Sequence, residues 1–374
     1  MSSYFKKAAK AYRQKDYTEA LKWYRLAADE GDVEAINDLG VMYAEGLGVE
    51  QNYTEALKWY RMAADKGYAM AKYNIGYAYA HGEGVEQDYA EAAKWYLLAA
   101  EQGDAEAQNN LGNLYADGKG VVRNYTEAVK WYRLSAEQGR AKAQDNLGRM
   151  YEYGEGVEQD YGKAIEWYRL AIDRGDEYAP CDLGYMYRIG RGVEQNYEEA
   201  IKWYRLAADR GNVLAQNALG VIFACEIDEP NFEEAVKWFR LAAGHGNSIA
   251  QYNLGLAYKK GEGVEQDYKE AVKWFHLAAK QDNSEAQYQL GMAYKTGAGV
   301  SQSPILAAKW FRRSANQCNS NAQYNLGLAY EKGVGVIQNF TKAVKWYHLA
   351  AEHGNEAAKD KLNKLLTDSP TLGL

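Results

Sequence analysis

The chain has 374 residues, with 44 basic against 51 acidic side chains and a formal net charge of −7. That balance, without a block of like charge, argues against a nucleic-acid reader, whose affinity comes largely from basic phosphate contacts. The longest apolar runs are too short to cross a bilayer, and the three cysteines (Cys181, Cys225 and Cys318) are odd in number and out of phase, so they suit neither a disulfide ladder nor a CxxC metal site.

The opening stretch, MSSYFKKAAKAYRQKDY, carries lysines and no apolar signal-peptide core, which points to a reducing, cytoplasmic compartment. Secreted or periplasmic delivery stays open. Residues 4–13 read as a helix, and 16–30 as a second one bearing Trp23. Ten tryptophans follow one another at a fixed period: eight of the nine gaps are 36 residues and the gap from Trp203 to Trp238 is 35. A period of this length marks a repeat array, in which each unit packs mainly on its neighbours and no single central core is needed. Residues 1–31 form an atypical first hairpin with a short link. Nine longer units fill 32–354, residues 355–366 read as a C-terminal capping helix, and 367–374 as a frayed tail.

Each long unit begins with a helix of the form A-x-x-x-L-G-x-x-Y, as in Ala35, Leu39, Gly40 and Tyr43. Those offsets lie on one helical face. The glycine, despite its cost in a helix interior, lets the partner helix approach closely. A G-x-G-V loop follows in eight of nine units. It reads as a helix C-cap with positive φ and then a tight turn. A phosphate cradle would need more glycine and a Lys-Ser/Thr pair. The second helix opens at a polar residue (Asp16, Asn52, Asp88, Asn124, Asp160, Asn196, Asn231, Asp267, Ser303 or Asn339), and all ten are good N-caps. Seven have Glu three residues on, which suggests a capping box. Asn52, Asn124 and Asn339 also spell N-x-T sequons, but Asp fills the same slot elsewhere, so they read as caps. The helix continues A-x-x-W-[YF]-x-x-[AS]-A, with the tryptophans expected in the core. Unit seven breaks the pattern: its loop, residues 224–230, has no glycine and is one residue short. After it the residue following Trp changes from Tyr to Phe (Phe239, Phe275, Phe311), as if the two sides came from separate duplications. In the tail helix Ala358, Leu362, Leu365 and Leu366 share one face.

These motifs resemble the Sel1-like repeat, a relative of the tetratricopeptide repeat with a longer inter-helix loop, and the resemblance covers roughly 4–366. It implies an all-α, right-handed α/α superhelical solenoid of about ten helix-loop-helix repeats. It also implies a non-catalytic scaffold or adaptor for protein complexes, as in many bacterial members. A cysteine-rich branch, reported as β-lactamase-like or penicillin-binding, has paired cysteines in each repeat. This chain lacks them, which disfavours a hydrolase of that type.

By the same resemblance the first helix of each repeat lines a concave face. Its stripe, numbered in the first long unit, runs through Glu34, Asn37, Val41 and Ala44, beside the core face. The candidate protein-binding residues on it are Tyr73, Tyr77, Tyr185, Arg188, Tyr252, Leu256, Lys259, Tyr288, Met292, Lys295, Tyr324 and Leu328. Two units between them are polar, with Glu106, Asn109 and Asn113 and with Lys142, Asp145, Arg149 and Glu152. Tyr and Met are favoured where interfaces concentrate energy. The row Tyr252, Tyr288 and Tyr324, with aliphatics and two lysines, is expected either to form a groove for a protein or peptide segment or to pack between adjacent first helices. No nucleic acid, membrane insertion, cofactor or metal is expected, and the oligomeric state is open. The five histidines occupy different slots and no nucleophile elbow accompanies them, so no catalytic residue is assigned. Cys181, with Arg188 one to two turns on, is the one thiol considered for reactivity, with a semi-buried bystander as the default.

Overall fold

A computed structural model describes residues 2–368, and the side chains of residues up to 364. Among the described residues there are 21 α-helices and no strand. They divide into two compact units, Met1–Gln195 and Asn196–Leu374. The first unit holds α1 (Ser3–Arg13), α2 (Tyr17–Asp29), α3 (Val33–Glu45), α4 (Tyr53–Asp65), α5 (Ala69–His81), α6 (Tyr89–Ala100), α7 (Ala105–Asp117), α8 (Tyr125–Glu137), α9 (Ala141–Tyr153), α10 (Tyr161–Asp173) and α11 (Ala179–Ile189). The second holds α12 (Tyr197–Asp209), α13 (Val213–Cys225), α14 (Phe232–Gly244), α15 (Ser248–Lys260), α16 (Tyr268–Lys280), α17 (Ser284–Thr296), α18 (Pro304–Ala315), α19 (Ser320–Lys332), α20 (Phe340–Glu352) and α21 (Glu356–Asp368). Within each unit every helix packs on the one before it and the one after it, which is the arrangement of an α/α solenoid.

All ten expected caps are in place. Asn52, for example, has extended backbone and its Oδ1 accepts from the Glu55 amide at 3.0 Å, and Ser303 Oγ accepts from the Leu306 amide ahead of a helix that opens on Pro304. The capping box itself does not close. The backbone N–H of the cap is already taken by a carbonyl nine residues back, as in Asn52 to Tyr43 at 2.8 Å and Asp88 to Tyr79 at 2.9 Å. The N3 glutamate therefore turns to Lys three residues on (Glu55–Lys58, 2.7 Å) or to the indole N–H four residues on (Glu199–Trp203, 3.1 Å). In the short seventh loop the corresponding bond runs from Asn231 N to Phe223 O, one residue closer. There Glu226 ends the helix in αR rather than a left-handed glycine.

The tryptophans are not the core. Nine of the ten are half-buried, and only Trp131 is buried. The residue after each Trp is the buried anchor: Tyr168 and Tyr347 are fully enclosed, and Phe275 nearly so. The reason is the helical glycine. A Cβ on Gly40 would lie 2.5 Å from the Tyr60 ring, and one on Gly112 2.6 Å from that of Tyr132. The glycine thus makes room for an aromatic ring rather than for a bare backbone. The indole, 100° further round the helix, falls at the seam between hairpins. Trp59 touches both the cluster built on α1 to α3 and the one built on α3 to α5.

The loop glycines differ in purpose. Gly46 caps α3 at φ 70°. Gly48, also left-handed, lies against the start of α2, where a Cβ would fall 2.6 Å from the Tyr17 carbonyl group. The G-x-G loop is therefore a contact between successive hairpins and not an anion cradle. At the end of the chain Ala358 and Leu362 of α21 are buried, Leu362 in the cluster of α18 to α20, and Lys361 pairs with Glu331 at 2.8 Å. The side chains of Leu365 and Leu366, and residues 369–374 of the expected frayed tail, lie outside the described residues.

Candidate functional site

The first-helix stripe is more buried than its helical phase suggested. Asn37, Asn109, Asp145 and Glu152 are all buried. A neighbouring slot, unnoticed in the sequence, explains this: residue 38 of the first long unit and its equivalents Asn74, Asn110, Asn146, Asp182, Gln289 and Asn325. These side chains reach back to the preceding hairpin. Asn74 Nδ2 donates to Asn37 Oδ1 at 2.9 Å and Asn146 Nδ2 to Asn109 Oδ1 at 3.1 Å. Tyr73 meets Asn110. Farther on, Lys259 Nζ donates to Gln289 Oε1 at 2.8 Å and Lys295 Nζ to Asn325 Oδ1 at 2.9 Å. Within each unit the stripe is thus a ladder of polar rungs from one repeat to the next. A second set of inter-repeat bonds runs from the second helix, as when Arg25 Nη2 donates to Tyr43 Oη at 2.7 Å and Arg312 Nη2 to Tyr330 Oη at 2.6 Å.

The stripe tyrosines pack against the second helix of their own hairpins, and Tyr73 and Tyr252 also reach Asn110 and Gln289 on the next first helix. Tyr252 leans on Phe275 (centroids 6.1 Å apart), Tyr288 on Phe311 (6.0 Å), Tyr324 on Tyr347 (5.8 Å) and Tyr73 on Tyr96 (5.8 Å). All four remain half-buried, so an edge of each reaches the surface, as do Leu256, Met292 and Leu328. Lys295 is exposed. In the first unit Tyr77 is exposed and stacks on His81 at 3.9 Å, and Tyr185 lies 5.7 Å from the Arg191 guanidinium. Arg188 is half-buried and also has a partner.

The tyrosines have a counterpart five residues on. Tyr73, Tyr252, Tyr288 and Tyr324 are followed by Ala78, Ala257, Ala293 and Ala329. Where that slot holds Asn, Asp or Cys, the later one holds Met42, Leu114, Met150, Met186 or Ile222. Met42, Met186 and Ile222 are fully buried, and Met42 packs in one cluster with α1 and α2 of the preceding hairpin. An alanine in their place leaves a gap. Two apolar pockets mark it in the second unit. One, of about 340 Å³, is lined by Phe232, Val236, Phe239, Leu256 and Ala257 with Lys260 and Glu262 at its rim. The other, of about 330 Å³, is lined by Pro304, Ala307, Phe311, Leu328 and Ala329 with Lys295 and Lys332. The two are equivalent places two repeats apart, and they bring Leu256, Lys295 and Leu328 into one kind of site.

Beyond the short seventh loop the ring after Trp changes from Tyr to Phe at Phe239, Phe275 and Phe311, and several of the tyrosines meet acceptors on the first helix. Buried phenols need a hydrogen-bond partner. Tyr168 Oη donates to Glu152 Oε2 at 2.7 Å, Tyr347 to Glu331, and Tyr132 to Asn113 Oδ1 at 2.8 Å. Beside Phe239, Phe275 and Phe311 the stripe slot of Glu152 holds Ala224, Lys259 and Lys295, but Ala44, Ala80, Ala116 and Arg188 fill it beside Tyr60, Tyr96, Tyr132 and Tyr204, so that slot alone does not set the choice of ring. Burial pushes the Tyr168 hydroxyl far above its usual range, with the charges of Asp182 and Glu152 adding to it. Burial likewise pushes the Cys181 thiol up to about 12, helped by the charges of Asp182 and Asp145. Cys181 is therefore held as a neutral thiol, and the reactive alternative loses its basis.

The Sel1 repeat family matches ten segments of the chain: residues 11–32, 33–68, 69–104, 105–139, 141–176, 178–212, 213–247, 248–283, 284–317 and 320–355. The chain belongs to this family. Among solved structures, this Sel1 protein is similar to a protective antigen of uropathogenic Escherichia coli with an SLR fold. The two are 35% identical, with a TM-score of 0.83 over 95% of this chain and 76% of the antigen. It is also similar to a Sel1 repeat protein from Oxalobacter formigenes, at 37% identity and a TM-score of 0.59 over 64% of this chain and 99% of that one. No curated protein matches it. Sel1 solenoids generally mediate protein–protein interaction and are generally not enzymes. Among the described residues no helix is long and apolar enough to cross a membrane, and no group of three or more His, Cys, Asp or Glu side chains could hold a metal ion.

Proposed function

We propose that this Sel1 protein is a non-catalytic scaffold that holds a segment of a partner protein on the first-helix stripe of its last three repeats. The observation that supports this most is that the repeats of Tyr252 and Tyr324 carry both a half-exposed ring on the stripe and, at the alanine five residues on, an open apolar pocket that the ring itself does not line. Pockets of this size take one aliphatic or aromatic side chain each, and the tyrosine edges and lysines offer the adaptable polar contacts typical of peptide recognition. Tyr73, Tyr77, Tyr185 and Arg188 occupy the equivalent stripe of the first unit.

The test is capture from native lysate with the wild type, with Tyr252→Ala/Tyr288→Ala/Tyr324→Ala, and with Ala257→Met/Ala329→Met. Circular dichroism checks that all are folded. A partner held by the wild type and lost from both variants supports the stripe. A partner captured equally by all three places the binding site elsewhere and overturns this reading.

A further inference from the structure

The rung between α9 and α11 is chemically unlike the others. Its equivalents, Asn37–Asn74 and Asn109–Asn146, are neutral amide pairs in which an N–H donates to a carbonyl oxygen. Here the same two slots hold Asp145 and Asp182, and their carboxyls meet within hydrogen-bonding range. Two carboxylates have four acceptor oxygens and no donor, so this rung closes only when one of them carries a proton. We infer that the Asp145–Asp182 rung is a proton-operated joint, closed by a shared proton and opened as the pH rises.

The surroundings keep that proton in place. Asp145 is 6% exposed and its Oδ1 has no donor from the rest of the protein. On its own helix it faces Arg149, while Glu152 and Tyr153 of that helix face Asp182. Tyr132 of α8 lies toward Arg149, and Tyr168 comes from α10. From the α11 side come Asp176, Cys181 and Asp182, with Tyr185 toward Tyr153. Arg149 is the cation facing both aspartates. Glu152 is held by Tyr168 and Arg191. Asp176 accepts from the amides of Tyr178 and Ala179, where α11 starts without a side-chain cap from Tyr178. Burial raises both aspartates above the ordinary carboxylate range, the neighbouring carboxylate adding to it for Asp145. The folded state therefore holds more protons than the unfolded chain. The pair's contribution to stability is full below the unfolded value of about 4 and is lost as the pH climbs through the raised range in which the buried pair gives up its proton.

The experiment uses the full-length chain and compares wild type with Asp145→Asn/Asp182→Asn, which recreates the amide rung of the other repeats. Hydrogen exchange, corrected for its intrinsic pH dependence, is followed across residues 141–153 and 179–189 from pH 6 to pH 9. We expect protection in the wild type to fall about ten-fold or more while the double variant stays level. Equal pH dependence in the two proteins overturns the proposal. Should the double variant fail to fold, infrared spectroscopy of the wild type decides. A protonated-carboxyl band at pH 7 that fades by pH 9 supports the shared proton, and the absence of such a band at pH 7 overturns it.

Discussion

Filling the open pockets gives the sharpest test of how the stripe is built. In Ala329→Met the new side chain enters a pocket of about 330 Å³ walled by Phe311, Leu328 and Ala307. Met42 and Met186 occupy the same slot with no exposure, so the backbone there accepts methionine. Three added heavy atoms are worth about 2 kcal/mol when buried, at ~0.8 kcal/mol per methylene-sized group. Ordering the methionine costs roughly 1–1.5 kcal/mol in rotamer freedom. The net gain is then about 0.5–1 kcal/mol, and about twice that with Ala257→Met, since the two pockets are two repeats apart and independent. Differential scanning calorimetry should show a rise of ~2–4 °C for the pair. A fall in Tm would refute the reasoning, since it would mean that the stripe tyrosines and leucines already use this space. Under the proposed function the same variant is more stable and yet loses its partner, an outcome that simple damage to the fold does not produce.

Other substitutions test the frame. Gly112→Ala should lower stability by up to about 2 kcal/mol in denaturant titration. Its Cβ meets the Tyr132 ring at 2.6 Å and that ring is pinned by its bond to Asn113, so ~1–3 kcal/mol of overpacking outweighs the gain of ~1 kcal/mol from helix propensity. A stabilised variant would show that the ring can withdraw. Cys318 sits at φ 63° in a slot that glycine fills in most repeats, as at Gly31 and Gly67. Cys318→Gly should therefore raise the Tm, by an amount corresponding to roughly 0.5–1 kcal/mol, and an unchanged or lower Tm counts against strain there. Asn124→Ala removes the acceptor for the Glu127 amide, now at 3.1 Å, and should cost about 1 kcal/mol in denaturant titration. A neutral result would mean that the loop holds α8 without its cap.

The repeat period, the helix pairs, the ten caps and the left-handed loop glycines were all legible in the sequence. Each is a local property: a cap needs only a side-chain oxygen and the next turn of backbone, and a positive φ needs only the missing Cβ. Membership of the repeat family was legible for the same reason, since ten copies carry one frame. What spans two hairpins needed the tertiary structure. Helical phase alone could not say that the Tyr or Phe after each Trp is the enclosed ring, because both aromatics lie on the same broad apolar side and only the facing glycine selects one. Nor could it show that slot 38 of one repeat reaches slot 37 of the repeat before it, which buries Asn109 and Asp145 although they lie beside the core face. The alternation of tyrosine with alanine, and of Asn, Asp or Cys with Met, Leu or Ile, stands in the sequence as a pattern of letters. It became a pair of pockets only when neighbouring helices closed round the alanines, because a void exists only relative to the atoms that surround it.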